Sequence, residues 1–126
     1  MCIRDSLRGV HLHRKHVDYL LMAAGEMVLI LHDTRSGSSA RGITTLLKLE
    51  AADPHLAVVP VGVAHGFYFA APACHLYAVT HAFDGTDELG CHWQDASLGI
   101  QGLCDNPTLS ARDAAAGSYA QMINDF

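Results

Sequence analysis

The sequence predicts an all-β fold, a sandwich or barrel of short strands followed by one C-terminal helix. Apolar residues alternate with a period close to two in several short segments, and glycine- and proline-bearing turns separate these at near-regular intervals. Such spacing favours a sandwich or barrel over a parallel α/β sheet. Only Ser110-Ala111-Arg112-Asp113, of the S-x-x-D form, announces a helix start before a periodic stretch.

Residues Met1 to Ser6 neither alternate like a strand nor cap a helix, and are expected to be a non-native lead. A single domain is therefore expected over residues 7–126, with the native N-terminus missing. From Leu7 the alternation begins and places His11 and His13 on one face. Tyr19 to Met22 is a short apolar run, and Gly25 reads as a turn before a strand over Met27 to His32. Asp33 to Ser39 is rich in turn residues and leads to a strand over Ile43 to Leu49, which completes a hairpin.

After Ala52-Asp53-Pro54, strands are predicted over His55 to Val59 and His65 to Ala70, then, past the turn at Ala71-Pro72, over His75 to His81. Residues 84–107 read as loop and hold the sole tryptophan, Trp93. The S-x-x-D cap opens an alanine-rich stretch, so one helix ending near Ile123 is expected.

Composition narrows the function. A chain of 126 residues suits one domain, and half of its residues are hydrophobic while 17% are charged, which excludes a disordered tail. No apolar run reaches the roughly 18 residues of a membrane helix. The net charge of -5 leaves no basic field for nucleic acid. Cys2, Cys74, Cys91 and Cys104 are widely spaced without a C-x-x-C pair, so reduced thiols in a cytoplasm are expected in place of a disulfide framework or zinc knuckle.

Two motifs concentrate the chemistry, Arg8-Gly9-Val10-His11 and Pro60-Val61-Gly62-Val63-Ala64-His65-Gly66-Phe67. They are followed by Asp87-Glu88-Leu89-Gly90, by Trp93-Gln94-Asp95-Ala96-Ser97-Leu98-Gly99-Ile100, and by Leu109-Ser110-Ala111-Arg112-Asp113. In this order they resemble the dTDP-4-dehydrorhamnose 3,5-epimerase family. The resemblance implies a cupin-type jelly-roll β-barrel with a short C-terminal helix. It also implies an isomerase of deoxysugar (rhamnose) biosynthesis that inverts centres beside the ketone of a nucleotide-linked 4-keto-6-deoxy sugar, without a cofactor and as a homodimer when full length.

Removing a proton beside a ketone needs a base near neutral pKa, oriented by a partner. The resemblance gives that role to His11, its orientation to Asp113, and substrate binding to Arg8 and His65. A guanidinium suits the diphosphate because its planar fork bonds phosphate oxygens two at a time. Asp113 also stands where a carboxylate caps a helix, and Phe67 and Tyr68 are expected to be core and wall.

Two positions depart from the family pattern. Asp18 stands where the family carries a lysine, and Phe83 stands where it carries a tyrosine acid, although phenylalanine cannot move a proton. The same positions also resemble metal-binding cupins, in which His11, His13, Asp18 and His65 would converge on an ion, with His16 a solvated neighbour. Pro54 and Phe69 occupy places where those cupins carry glycine and asparagine. A non-catalytic cupin that binds a sugar nucleotide is the third alternative.

Overall fold

The computed structural model describes residues 3–126. Eight strands form, β1 (Ser6–Leu12), β2 (Asp18–Ala24), β3 (Glu26–Asp33), β4 (Thr44–Glu50), β5 (Ala57–Val59), β6 (Val63–Phe69), β7 (Cys74–Val79) and β8 (Leu89–Gly90). Two short helices follow, α1 (Ala111–Ala114) and α2 (Tyr119–Asp125). One sheet has the order β4-β3-β6-β1-β8 and the other β5-β2-β7, with antiparallel pairing throughout the named strands. This is the jelly-roll arrangement the resemblance implies, and it fits the sandwich or barrel that the strand pattern predicts.

Alternation along the strands produces two cores. Leu20 and Met22 of β2 meet Met27 and Leu29 of β3, Leu49 of β4, and Val63, Phe67 and Phe69 of β6 between the sheets. The other face of the larger sheet, through Leu7, Val10, Leu12, Ile30 and Ala64, packs beneath Cys91, Trp93, Leu98 and Met122 from the C-terminal third. A fully buried leucine or phenylalanine contributes about 1.5–3 kcal/mol, so these two layers carry most of the drive to fold.

Several expectations are corrected. Strand β1 takes in Ser6, which is buried and pairs with Phe69, because the ladder with β6 runs on past Leu7. The segment expected as loop over 84–107 contains β8, which pairs with His11 and Leu12, and two short 3-10 turns at Gly85–Asp87 and Ala96–Leu98. The expected single helix is two. Ala115 ends α1, and after Gly117 the Ser118 hydroxyl accepts from the Gln121 N–H to cap a new helix.

Candidate active site

Strand β1 is where the site is made. Arg8 pairs with Phe67 and His11 with His65, and the register shifts between these two pairs. Phe67 belongs to the core between the sheets, so the bulge turns both Arg8 and His11 to the inner face while Leu7, Val10 and Leu12 point outward. Without that extra residue, alternation from Arg8 would send His11 to the opposite side. Gly9 makes the bulge sterically feasible. Its φ is +108°, and a Cβ there would lie 2.7 Å from both the Gly66 Cα and the His65 carbonyl oxygen.

His11 meets Asp113 across the molecule, with Nε2 and Oδ1 2.7 Å apart. The carboxylate is buried and the imidazole is 18% exposed, so the pair is anchored at one end and open at the other. Asp113 is held by the start of α1. The Ser110 hydroxyl accepts from the Asp113 N–H at 3.0 Å and donates to Oδ2 at 2.7 Å, leaving Oδ1 for His11. Burial raises the Asp113 carboxyl, but the bonds from His11 and Ser110 outweigh it and leave the group below the ordinary carboxylate value. The helix-cap position and the pairing with His11 are thus both realised in one side chain. With Nε2–H donated to a carboxylate, the lone pair of His11 is on Nδ1, which is how a histidine base is made ready.

Arg8 donates to the Leu7 carbonyl at 3.1 Å and enters no ion pair among the described residues. His65 is almost wholly buried, its Nε2 2.9 Å from Asp18 Oδ2. The other Asp18 oxygen accepts from the Tyr77 hydroxyl at 2.9 Å. Burial works against ionisation of Asp18, yet the His65 contact and the Tyr77 bond bring its pKa below the ordinary value. Burial and then the Asp18 charge push the Tyr77 phenol far up, so it keeps its proton.

The four residues that the metal-binding comparison grouped are divided. His13, Asp18 and His65 come together, with one donor atom of each within 4.8 Å of the others, whereas His11 turns to Asp113. His16 is not a solvated neighbour. It is buried, stacks on His13 at 3.9 Å between ring centroids, and sets Nε2 3.1 Å from Asp18 Oδ1. The reason is the tight turn between β1 and β2, in which Asp87 accepts from the N–H groups of Arg14 and Lys15 and folds His16 inward. Phe83 is 80% exposed and lines no part of this cluster. Tyr77 was not singled out in the sequence; only the pairing of β7 with β2, which sets Tyr77 opposite Leu20, brings it to the cluster.

A family model described as dTDP-4-dehydrorhamnose 3,5-epimerase matches residues 2–121. The chain belongs to this family. Among curated relatives, the chain is similar to the spore coat polysaccharide biosynthesis protein SpsL of Bacillus subtilis, at 29% identity over 75% of this chain and 65% of that protein. It is also similar to a dTDP-4-dehydrorhamnose 3,5-epimerase of Neisseria gonorrhoeae, at 30% identity over 91% of this chain and 36% of that protein. The chain thus spans between about a third and two thirds of the length of these relatives.

Among solved structures, the dTDP-6-deoxy-D-glucose-3,5-epimerase of Legionella pneumophila, in complex with dTDP-4-keto-L-rhamnose, superposes with a TM-score of 0.83. The two are 28% identical, and the match covers 95% of this chain and 68% of that one. Membership of the epimerase family agrees with the cupin-type jelly roll described above. No helix among the described residues is long and apolar enough to cross a membrane.

Proposed function

We propose that the chain carries the site of an epimerase acting on a nucleotide-linked 4-keto-6-deoxy sugar, and that His11 takes the proton beside the ketone. The observation that carries this reading is the 2.7 Å contact between His11 and a buried Asp113, which orients the imidazole. Family membership and the ligand named for the Legionella enzyme support the substrate class.

In this reading His11 Nδ1 receives the proton, and the charge on the resulting imidazolium is balanced by Asp113. Arg8, on the same inner face, holds the diphosphate, and His65 lines the sugar end beside it. Phe83 has no proton to give, so Tyr77 is the hydroxyl that serves the pocket, its oxygen held by Asp18. A single inversion needs only one proton exchange and fits a pocket with one oriented base.

The outer face of the smaller sheet presents Val58 and Leu76, both more than half exposed, beside Tyr19 and Leu21. That apolar surface supports a homodimer of the full-length protein. Cys74, Cys91 and Cys104 are free thiols, and burial followed by the Asp95 charge pushes the Cys91 thiol up to about 12, which suits a reducing cytoplasm.

The test is deuterium incorporation from heavy water into dTDP-4-keto-6-deoxyglucose, followed by NMR. Exchange at carbon 3 or carbon 5 that disappears in His11→Ala is the expected result, and the labelled carbon separates single from double epimerisation. Exchange that survives His11→Ala would remove His11 from the role. No exchange, together with stabilisation of the chain by dTDP, would leave a sugar-nucleotide-binding protein.

A further inference from the structure

Beside the proposed base lies a cluster of imidazoles that His11 and Asp113 do not explain. His13, His16, Asp18 and His65 are all buried, with exposures between 1% and 6%. Buried polar groups are ordinarily satisfied, and one nitrogen of this cluster, His16 Nε2, is not.

His65 lies between two acceptors. Its Nδ1 faces the Val63 carbonyl oxygen at 3.3 Å, and its Nε2 faces Asp18 Oδ2 at 2.9 Å. Both neighbours are acceptors, and a neutral imidazole has one N–H. One proton serves only one of the two contacts: on Nε2 it bonds Asp18, and an ion that takes its place on Nε2 frees the proton for the Val63 carbonyl. His13 repeats the pattern. Its Nδ1 lies 3.0 Å from the Asp87 carbonyl, which makes Nδ1 the donor and leaves Nε2 as the free lone pair. A ring nitrogen bonded to a backbone carbonyl is the usual way a protein fixes the tautomer of a metal-binding histidine.

A third nitrogen lacks a hydrogen bond. His16 Nε2 is buried and makes no hydrogen bond, although Asp18 Oδ1 is only 3.1 Å away. Two groupings of donor atoms exist here, His13 with Asp18 and His65, and His13 with His16 and Asp87. The second is weaker, because both Asp87 oxygens already accept backbone N–H groups, at 2.7 Å from Arg14 and 3.0 Å from Lys15. Asp18 is engaged otherwise only by the neutral Tyr77 hydroxyl, so its charge has no fixed cation among the described residues.

We propose that His13, Asp18 and His65 bind one divalent first-row transition-metal ion, with His16 Nε2 the adjoining further donor. Two imidazoles and one carboxylate suit Zn, Fe, Mn or Co and leave positions open. His11 stays outside this set. The base and the ion therefore do not compete, and the inference does not rest on the epimerase reading, since the ion requires no sugar nucleotide.

The experiment is a titration of the chelator-stripped, dialysed chain with Co²⁺ alone, read by its visible ligand-field bands. One equivalent is expected to bind, with affinity lowered by at least ~100-fold in His65→Ala and Asp18→Asn and unchanged in His11→Ala. Failure of the wild-type chain to bind one equivalent overturns the proposal, as does equal binding in His65→Ala. Loss of binding in His11→Ala, with far-UV circular dichroism intact, overturns the separation of the two sites.

Because removal of a buried carboxylate can cost the fold, the unaltered chain supplies a second measurement. In long-range ¹⁵N–¹H spectra with Zn²⁺, the Nε2 resonances of His13 and His65 are expected to shift while those of His11 hold. Unmoved His13 and His65 resonances overturn the site. Neither readout depends on turnover, so failure of the epimerase assay leaves the metal result standing, and the reverse.

Discussion

His11 and His65 stand opposite each other in the β1–β6 ladder, yet each imidazole is claimed by a different carboxylate, His11 by Asp113 at 2.7 Å and His65 by Asp18 at 2.9 Å. Cross-strand partners share a face, so the pocket holds two histidine–aspartate pairs side by side. They differ in access: the imidazole of the first pair is 18% exposed and that of the second 2%. A proton-transfer base has to reach substrate, so the first pair is the one that suits the proposed exchange, while the second lies deeper, within the proposed metal cluster.

Asp113→Asn should lower deuterium exchange into the keto sugar by roughly 10²–10⁴-fold, because the amide keeps the shape and loses the charge that balances an imidazolium. Substrate affinity should change little, since Asp113 points at His11 and not at the ligand. Exchange kinetics over a range of substrate concentrations check both statements; a change in affinity alone would reduce Asp113 to a helix cap.

Tyr77→Phe should reduce exchange, whereas Phe83→Tyr should leave it unchanged. The first removes the hydroxyl held by Asp18, and the second adds one to a side chain that is 80% exposed. Parallel assays of the two variants decide it, and a gain of activity in Phe83→Tyr would return the acid to that position.

Gly9→Ala should destabilise the chain by more than ~1–2 kcal/mol, the cost of an L-residue at positive φ, since the new Cβ also meets β6 backbone at 2.7 Å. Any relaxation that makes room must shift β1 against β6 and so separate His11 from Asp113. Chemical denaturation together with the exchange assay reads both effects.

Acid should unfold the chain partly through Asp33. Its carboxylate receives the Arg35 guanidinium at 3.0 and 2.6 Å and the Ser38 hydroxyl at 2.7 Å, which hold it well below the usual carboxylate range. A depressed folded pKa contributes stability that is present above the unfolded value, about 4, and is lost as pH falls toward the folded one. Melting temperatures measured from pH 6 down to pH 3 should fall less steeply in Asp33→Asn than in the wild-type chain.

The period-two alternation and the turn residues made the strands legible, because a half-buried strand writes its two faces directly into the order of residues. The motif Arg8-Gly9-Val10-His11, the later Pro60 to Phe67 and the closing Leu109 to Asp113 marked which residues matter. Helix breaks were harder: Gly117 and Ser118 split the C-terminal helix, and one glycine in an alanine-rich stretch is a weak signal.

What the sequence alone determined was the succession of strands apart from β8, and the residues proposed to carry the chemistry apart from Tyr77. Which carboxylate serves which imidazole was decided only by tertiary structure. A bulge at Gly9 and Val10 turns Arg8 and His11 to one face, the Asp87 carboxylate folds His16 inward, and α1 brings Asp113 to His11 from the far end of the chain. Side-chain pairing depends on register and on contacts remote in sequence, and a periodic pattern read along one strand contains neither.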